Sequence, residues 1–359
     1  MTSSASSASD RLQRSLARMA APLLTGRARE RLLAFSSVAC SDVDLIYIEY
    51  RVSSDTADQV DVSLSAAGHA ARAALAQQVK QLAVGGAASW QTAAGCLERW
   101  AIRGTDEARA LRAACLEYDL EPGDGAAVPE PSLFFNAHEL SHAWDRVRTR
   151  RGLRAALRWF LGPSASTLAA PLDTVIGALP TNFHLAHLGF MIPRPDERLR
   201  FCLALPRPEL GPFLRRVGWG GSLTAFGDRA DRVADFVALA ERGGWVSIAL
   251  GFGAGGTHPR LGIEAPAQGH PGGAPGLIEA LRERGLCTRG KAEALRALLG
   301  AAGPEDRYEL SHAKLSVSAS GGLEAKAYVT LGRNDATMGR LASIRQIRGR
   351  AAPATPAAE

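Results

Sequence analysis

Several features common in other classes of protein are scarce in this chain of 359 residues. Its five cysteines (Cys40, Cys96, Cys115, Cys202 and Cys287) are odd in number, far apart, and never form Cys-x-x-Cys. That spacing argues against a disulfide framework and a cysteine zinc site, and points to reduced thiols in a cytoplasmic protein. No apolar run approaches the ~18–20 residues of a membrane span, so no membrane partner is expected. The first residues are Ser/Ala-rich with an early Asp10, and lack the apolar stretch of a signal peptide. No Pro/Gly-rich linker long enough to separate two domains interrupts the middle of the chain.

What is present is ordinary for a globular protein: 46% hydrophobic and 22% charged residues. The formal charge is +6. An excess of arginine suits an anionic ligand, a nucleic acid, or simply a solvated basic surface. No recognised nucleic-acid module accompanies it, and no nucleic-acid partner is expected. Residues 1–9 and 346–359 read as flexible tails without a packing face. Residues 10–345 read as one domain, a monomer or homodimer.

The organisation lies in a repeat. A helical segment over about 10–34 precedes a pair of strands, 44–52 (DLIYIEYRV) and 59–65 (QVDVSLS). Four further strand pairs follow: 115–120 with 132–137, 183–192 with 198–205, 245–252 with 260–265, and 308–318 with 323–331. Helical stretches separate them, at about 67–84 and 89–103, 139–178 with a break near Gly162-Pro163, 208–242, and 275–285 with 289–301. Alternating apolar and polar residues give the strands, and amphipathic runs of 10–15 residues give the helices.

Each pair has one apolar and one polar face, because successive side chains of a strand point to opposite sides. In the last pair Ala313, Leu315 and Val317 share a face with Ala325, Ala327 and Val329. His312, Lys314, Ser316, Glu324, Lys326, Tyr328 and Thr330 take the other. The first pair sets Ile46, Ile48 and Tyr50 against Tyr47, Glu49 and Arg51. The second opposes Leu116 and Tyr118 to Glu117 and Asp119, and the third opposes Leu199 and Phe201 to Arg198, Arg200 and Cys202. Helices must bury their apolar stripes, so they belong on the apolar faces. Ten strands closing on themselves would leave no edge and a polar lumen wide enough for a ligand.

An α-β-β-α unit used five times with charged residues inside resembles the ABBA prenyltransferases, which include aromatic, indole and peptide enzymes. The resemblance covers about residues 10–332. It implies an α+β fold: a ten-stranded antiparallel β-barrel of five αββα repeats with the helices outside. Its local carriers are SHAKLSV and AKAYVTL in the last pair, similar to the strand pairs with which the indole branch grips diphosphate. Arg198-x-Arg200 resembles an Arg-x-Lys-x-Tyr strand, with Cys202 where the tyrosine would stand. By that resemblance the chain moves an allylic group, dimethylallyl or geranyl, from its diphosphate to an aromatic small molecule or a peptide side chain, as in secondary metabolism or peptide modification. It would require no cofactor, with Mg²⁺ as an optional aid to neutralising the diphosphate. The Asp-Asp-x-x-Asp and Asn-Ser-Glu magnesium motifs are missing, which disfavours terpene-cyclase and chain-elongating chemistry.

A departing diphosphate needs converging cations and donors aimed where charge develops. The candidates are Arg51, Arg198, Arg200, Arg260, His312, Lys314 and Lys326, with His187 behind them. Tyr328 and Tyr47 offer π faces to an allylic cation. Glu117 is the first choice to take the nucleophile's proton, followed by Glu49 and Glu264. Cys202 reads as a small core residue.

One motif points elsewhere. His138-Glu139-Leu140-Ser141-His142 reads His-Glu-x-x-His, the spacing that puts two zinc ligands and a general base on one helix. The extended form is broken by Asp145, and no third ligand appears before Glu197. A zinc-dependent hydrolase and a non-catalytic ligand-binding barrel therefore stand as alternatives to the transferase. The glycine-rich 251–256 run is expected to be a hairpin turn rather than a phosphate loop, and the basic 146–158 run a solvated helix.

Overall fold

Strand alternation translates directly into three dimensions. The computed structural model describes residues 7–39, 43–84, 88–102, 111, 113–120, 128–137, 146–194, 196–220, 230–301 and 306–333. Ten strands form: β1 (Leu45–Arg51), β2 (Val60–Ala66), β3 (Ala114–Leu120), β4 (Ser132–Asn136), β5 (His184–Phe190), β6 (Leu199–Pro206), β7 (Trp245–Gly253), β8 (Gly256–Pro266), β9 (Asp306–Ser318) and β10 (Leu323–Arg333). Each pairs antiparallel with its sequence neighbours, and β10 pairs with β1, so the sheet closes into a barrel without an edge.

Pairs of helices link the hairpins. α1 (Ala8–Arg18) and α2 (Gly26–Ala39) precede β1. α3 (His69–Ala83) and α4 (Ala88–Ala101) join β2 to β3. α5 (Arg146–Leu161), a 3₁₀ turn (Gly162–Leu168) and α6 (Ala169–Ala178) lie between β4 and β5. α7 (Arg207–Arg216) and α8 (Ala230–Ala240) lie between β6 and β7, and α9 (Gly273–Glu283) and α10 (Arg289–Gly300) between β8 and β9. The helix–strand–strand–helix repeat is thus present five times around a ten-stranded barrel.

Two helical stretches read as continuous in the sequence are divided. Pro22 lies in the break between α1 and α2; a proline lacks the backbone N–H and crowds the preceding turn, which disfavours a continuous helix there. α7 ends before Gly218, which takes a positive φ of 69°. The expected break near Gly162 is there, with Gly162 at φ 53°. α1 begins at Ala8, capped by the Ser7 hydroxyl, so the first helix starts two residues earlier than its periodicity indicated. The 251–256 run lies in the β7–β8 hairpin, as expected of a turn.

The outward faces of all ten strands make the core. Ile48 sits between Val62 of β2 and Val329 of β10, and all three are fully buried. Tyr118 of β3 packs against Phe35 of α2, with ring centroids 4.8 Å apart, and Trp90 of α4 lies 6.1 Å away. Phe135 of β4 meets Trp100 of α4 and Phe160 of α5 at 5.6 and 4.5 Å. Helices are therefore laid onto apolar strand faces, leaving the polar faces to the lumen. The four described cysteines are free. Burial pushes the Cys115 thiol up to about 12, and burial likewise raises Cys96 and Cys287, so none of the three is an ionised nucleophile near neutral pH. Among the described residues no helix is long and apolar enough to cross a membrane.

This packing predicts that Ile48→Ala, which opens a cavity between three buried strands, lowers the unfolding free energy by about 2–5 kcal/mol. Denaturant titration of the two proteins measures the difference.

Candidate active site

The inner faces converge on a cavity of about 480 Å³, within the size range of small-molecule sites. It lies towards the hairpin-turn end of the barrel. Its walls carry six Lys and Arg side chains against seven carboxylates, with His258 in addition. The cationic lining expected from the sequence is thus a nearly charge-balanced one.

Register explains how the charges come together. Across four adjacent strands one row reads Asp119, Asp61, Glu49 and Tyr328, each directly opposite the next. The neighbouring row reads Arg51, Lys326, Lys314 and Glu264. Like charges directly opposite one another destabilise a sheet, so Asp61–Asp119 and Lys326–Lys314 each need charge from the other row. Arg51 supplies much of it. Its guanidinium pairs with Glu49, with Asp61 at 2.8 Å and with Glu324 at 3.2 Å. Lys326 reaches Glu49 at 2.5 Å and Glu324 at 3.5 Å.

A second cluster mirrors the first. Arg200 of β6 is held by Glu197 through two hydrogen bonds of 2.7 and 2.8 Å and lies 3.8 Å from Glu117 of β3. Arg194, in the turn before β6, reaches Asp119, lies 3.7 Å from Glu117 and 3.3 Å from Glu197. Gly251 makes room for this arrangement, since a Cβ there would run into the Glu197 carboxyl group. Each cluster therefore sets three carboxylates against two cations.

The protonation states follow from burial and partners. Burial works to raise Glu49, but Lys326 and Arg51 outweigh it and hold Glu49 well below the usual carboxylate range. Burial, reinforced by Glu49, pushes Asp61 well above it. Glu117 is also raised, by burial first, with Arg200 opposing and Asp119 and Glu49 adding to it. A raised carboxyl is a better proton acceptor near neutral pH than a strongly paired one.

Lys314 and Arg260 line the cavity yet make no ion pair with any described residue. Lys314 lies over Gly262, where a Cβ would displace its Cε and also approach the Ala249 Cβ. Ala249 belongs to a small apolar cluster with Phe134, Met191 and Cys202, separate from the main core. Phe134, Cys202 and Ala249 all lie on inner strand faces, so this cluster is an apolar wall within the barrel. An uncommitted cation, Lys314, and the Ala249 edge of this apolar cluster are thus adjacent.

The structure brings Glu49, Arg51, Glu117, Arg200, Arg260, Lys314, Lys326 and Tyr328 into one cavity. Arg198, His312, His187, Tyr47 and Glu264 are not among the residues lining it. Arg198 sits just before β6. His312 stacks flat on Tyr328, with centroids 4.2 Å apart. Tyr47 lies one layer deeper than Glu49 on the same inner face, opposite Thr330. Cys202 is a packed wall residue, as its sequence context indicated. His138, Glu139 and His142 lie outside the described residues, and among the described residues no group of three or more His, Cys, Asp or Glu is arranged to hold a metal.

Asp61, Arg194 and His258 line the cavity without having been singled out in the sequence. Asp61 was legible: in QVDVSLS it alternates with Val60 and Val62. Arg194 and His258 sit outside the alternating parts of their hairpins and carry no periodic signal.

No family model matches the chain, and no curated protein matches it. Solved structures do. Prenyltransferase PriB in its apo form aligns with a TM-score of 0.60 at 13% identity, covering 90% of this chain and 96% of that one. A 5-dimethylallyl tryptophan synthase from Streptomyces coelicolor, solved with DMASPP and Trp, aligns at 0.56 and 13%, covering 99% and 98%. AnaPT from Neosartorya fischeri aligns at 0.55 and 12%, covering 90% and 91%. The architecture is the ABBA prenyltransferase fold over nearly its whole length.

The geometry predicts that Gly262→Ala displaces the Lys314 ammonium while the barrel stays folded, because the severe clash is with the far end of a flexible side chain and Ala249, 3.3 Å from the new Cβ, has to shift only slightly. Inorganic diphosphate should then bind at least about threefold more weakly than to the parent, measured by calorimetry, with an unchanged circular dichroism spectrum.

Proposed function

We propose that this chain is a prenyltransferase that moves an allylic group from its diphosphate to an aromatic acceptor. The observation that carries this reading is the juxtaposition of Lys314, free of ion pairs among the described residues, with Ala249, through which the apolar cluster of Cys202, Phe134 and Met191 reaches the cavity, while the exposed Arg260 lines the same cavity. An allylic diphosphate is a strongly anionic head joined to a hydrocarbon tail, and such a cluster and such cations suit its two halves. The fold is shared with enzymes solved in complex with L-tryptophan and dimethylallyl thiolodiphosphate, and with brevianamide F and the same analogue. An aromatic acceptor of the indole kind is the first to test; a side chain within a peptide is the second.

In this reading Lys314 and Arg260 hold the diphosphate, with Arg200, Arg51 and Lys326 at its flanks. The C1–O bond breaks with its electron pair leaving on the diphosphate, and the cations stabilise the charge that develops. The allylic cation faces the ring of Tyr328, whose hydroxyl is held by Glu49. An electron-rich ring carbon attacks the cation and forms the new carbon–carbon bond. Glu117 then accepts the displaced ring proton and the ring regains its aromaticity. The products are the prenylated acceptor and diphosphate. Glu49, kept ionised by Lys326 and Arg51, is placed to accept a hydrogen bond from an acceptor N–H. No cofactor enters these steps.

Incubation with dimethylallyl or geranyl diphosphate and a pool of aromatic acceptors should give products heavier by one prenyl unit, read by mass spectrometry. Lys314→Ala and Arg260→Ala should each lower kcat/KM at least about tenfold, the loss of roughly one charge-assisted contact. Absence of product together with absence of diphosphate binding would sink the transferase reading and leave a barrel that binds another ligand.

A further inference from the structure

We propose that Asp61 is a positioning residue for Glu49: a neutral carboxylic acid that donates a hydrogen bond to the Glu49 carboxylate inside the barrel. Its consequence for transfer rests on the reading above, while the protonation rests on the geometry alone.

Stoichiometry is the first argument. Glu49, Asp61 and Glu324 share only two cations, Arg51 and Lys326. Glu49 and Asp61 are 4% and 2% exposed. With Glu324, whose side chain is 35% exposed, ionised as well, the three carboxylates exceed their two cations by one charge, and one proton on the buried pair removes that excess. Position is the second argument. Asp61 and Glu49 sit directly opposite on β2 and β1, and the two nitrogens of one guanidinium, Arg51 Nη1 and Nη2, reach one carboxyl each. One guanidinium thus holds two acids side by side on directly opposite residues, and a proton on one of them relieves their repulsion.

The surroundings decide which of the two carries it. Facing Asp61 from β3 is another carboxylate, Asp119, directly opposite. From just before its own strand Gln59 donates to it at 3.4 Å. From β1 come Arg51 and Glu49, and from β10 Lys326 at 3.9 Å with Glu324 nearby. Glu49 instead has Lys326 at 2.5 Å and also receives the Tyr328 hydroxyl. The ammonium is thus closer to Glu49, and the carboxylates crowd Asp61. The proton belongs on Asp61. Glu49 is left charged, and its orientation is set by Asp61, Arg51 and Lys326.

The sign with pH follows. A carboxyl whose folded pKa is raised contributes stability that is complete below its unfolded pKa and is lost as pH rises through the folded value. Asn at this position keeps the donor and cannot ionise. The deciding measurement is the infrared difference spectrum of the full chain, parent minus Asp61→Asn, at pH 7. A protonated-acid carbonyl band present in the parent and missing from Asp61→Asn supports the proposal; no band overturns it. Thermal unfolding between pH 5 and 9 is the second readout, with Asp61→Asn expected to gain on the parent as pH rises. A difference between the two proteins that stays constant from pH 5 to 9 would mean an Asp61 already ionised and overturn the proposal. Both readouts stand whether or not the protein transfers a prenyl group, so their failure is separable from failure of the transferase reading. In the transfer assay Asp61→Ala should lose at least about tenfold in kcat, and Asp61→Asn should recover most of it. An Asn variant as poor as Ala would mean that a charge, not a donor, is needed.

Discussion

The ion pairing of the barrel interior is the constraint on which the rest of the site depends. Closing ten strands turns every polar face inward, and the register then stacks a row of carboxylates beside a row of cations. Neither row is stable alone, since like charges opposite one another repel. Arg51 and Lys326 neutralise Glu49 and Asp61 across the two rows, and Arg194 reaches Asp119 from outside them. A buried network of this kind is weak evidence for stability as such, because desolvation offsets much of the attraction. What it provides is position: the charged ends of long side chains are held at set places around a cavity.

That positioning divides the lumen by task. Four cations are committed to carboxylates, while Lys314 and Arg260 make no ion pair with the described residues. Two carboxyls, Asp61 and Glu117, are raised, one in each cluster of three acids and two cations. Perturbed acids and uncommitted cations facing one cavity mark a functional site more often than a structural one. Ala249 brings the edge of a small apolar cluster into the same cavity lining. An anionic, partly hydrocarbon ligand is the class that uses both.

Much of this architecture was legible in the chain itself. All five hairpins appear within a few residues of where alternation put them, because a strand buried on one face must repeat with period two. Eight of the candidate site residues, from Glu49 to Tyr328, meet in one cavity for the same reason. Helix boundaries were less legible: the amphipathic pattern runs through Pro22 and Gly218, while the backbone does not. Arg198, just before β6, and His312, stacked on Tyr328 directly opposite it, stay out of the cavity lining, because alternation specifies a face and not which side chains of that face border the cavity.

What the sequence determined by itself is therefore the fold class and the sidedness of each strand, both set by local periodicity and the need to bury apolar area. What only the tertiary structure decided is which charge neutralises which. Arg51 meets Glu324 and Arg194 meets Asp119 across strands far apart in the chain, and no local pattern encodes such contacts. The same holds for protonation. Asp61 and Glu49 are both acids on polar strand faces, and the closer approach of Lys326 to Glu49 is what separates them. Charge, unlike hydrophobicity, is set by distance to partners, and those distances exist only once the barrel has closed.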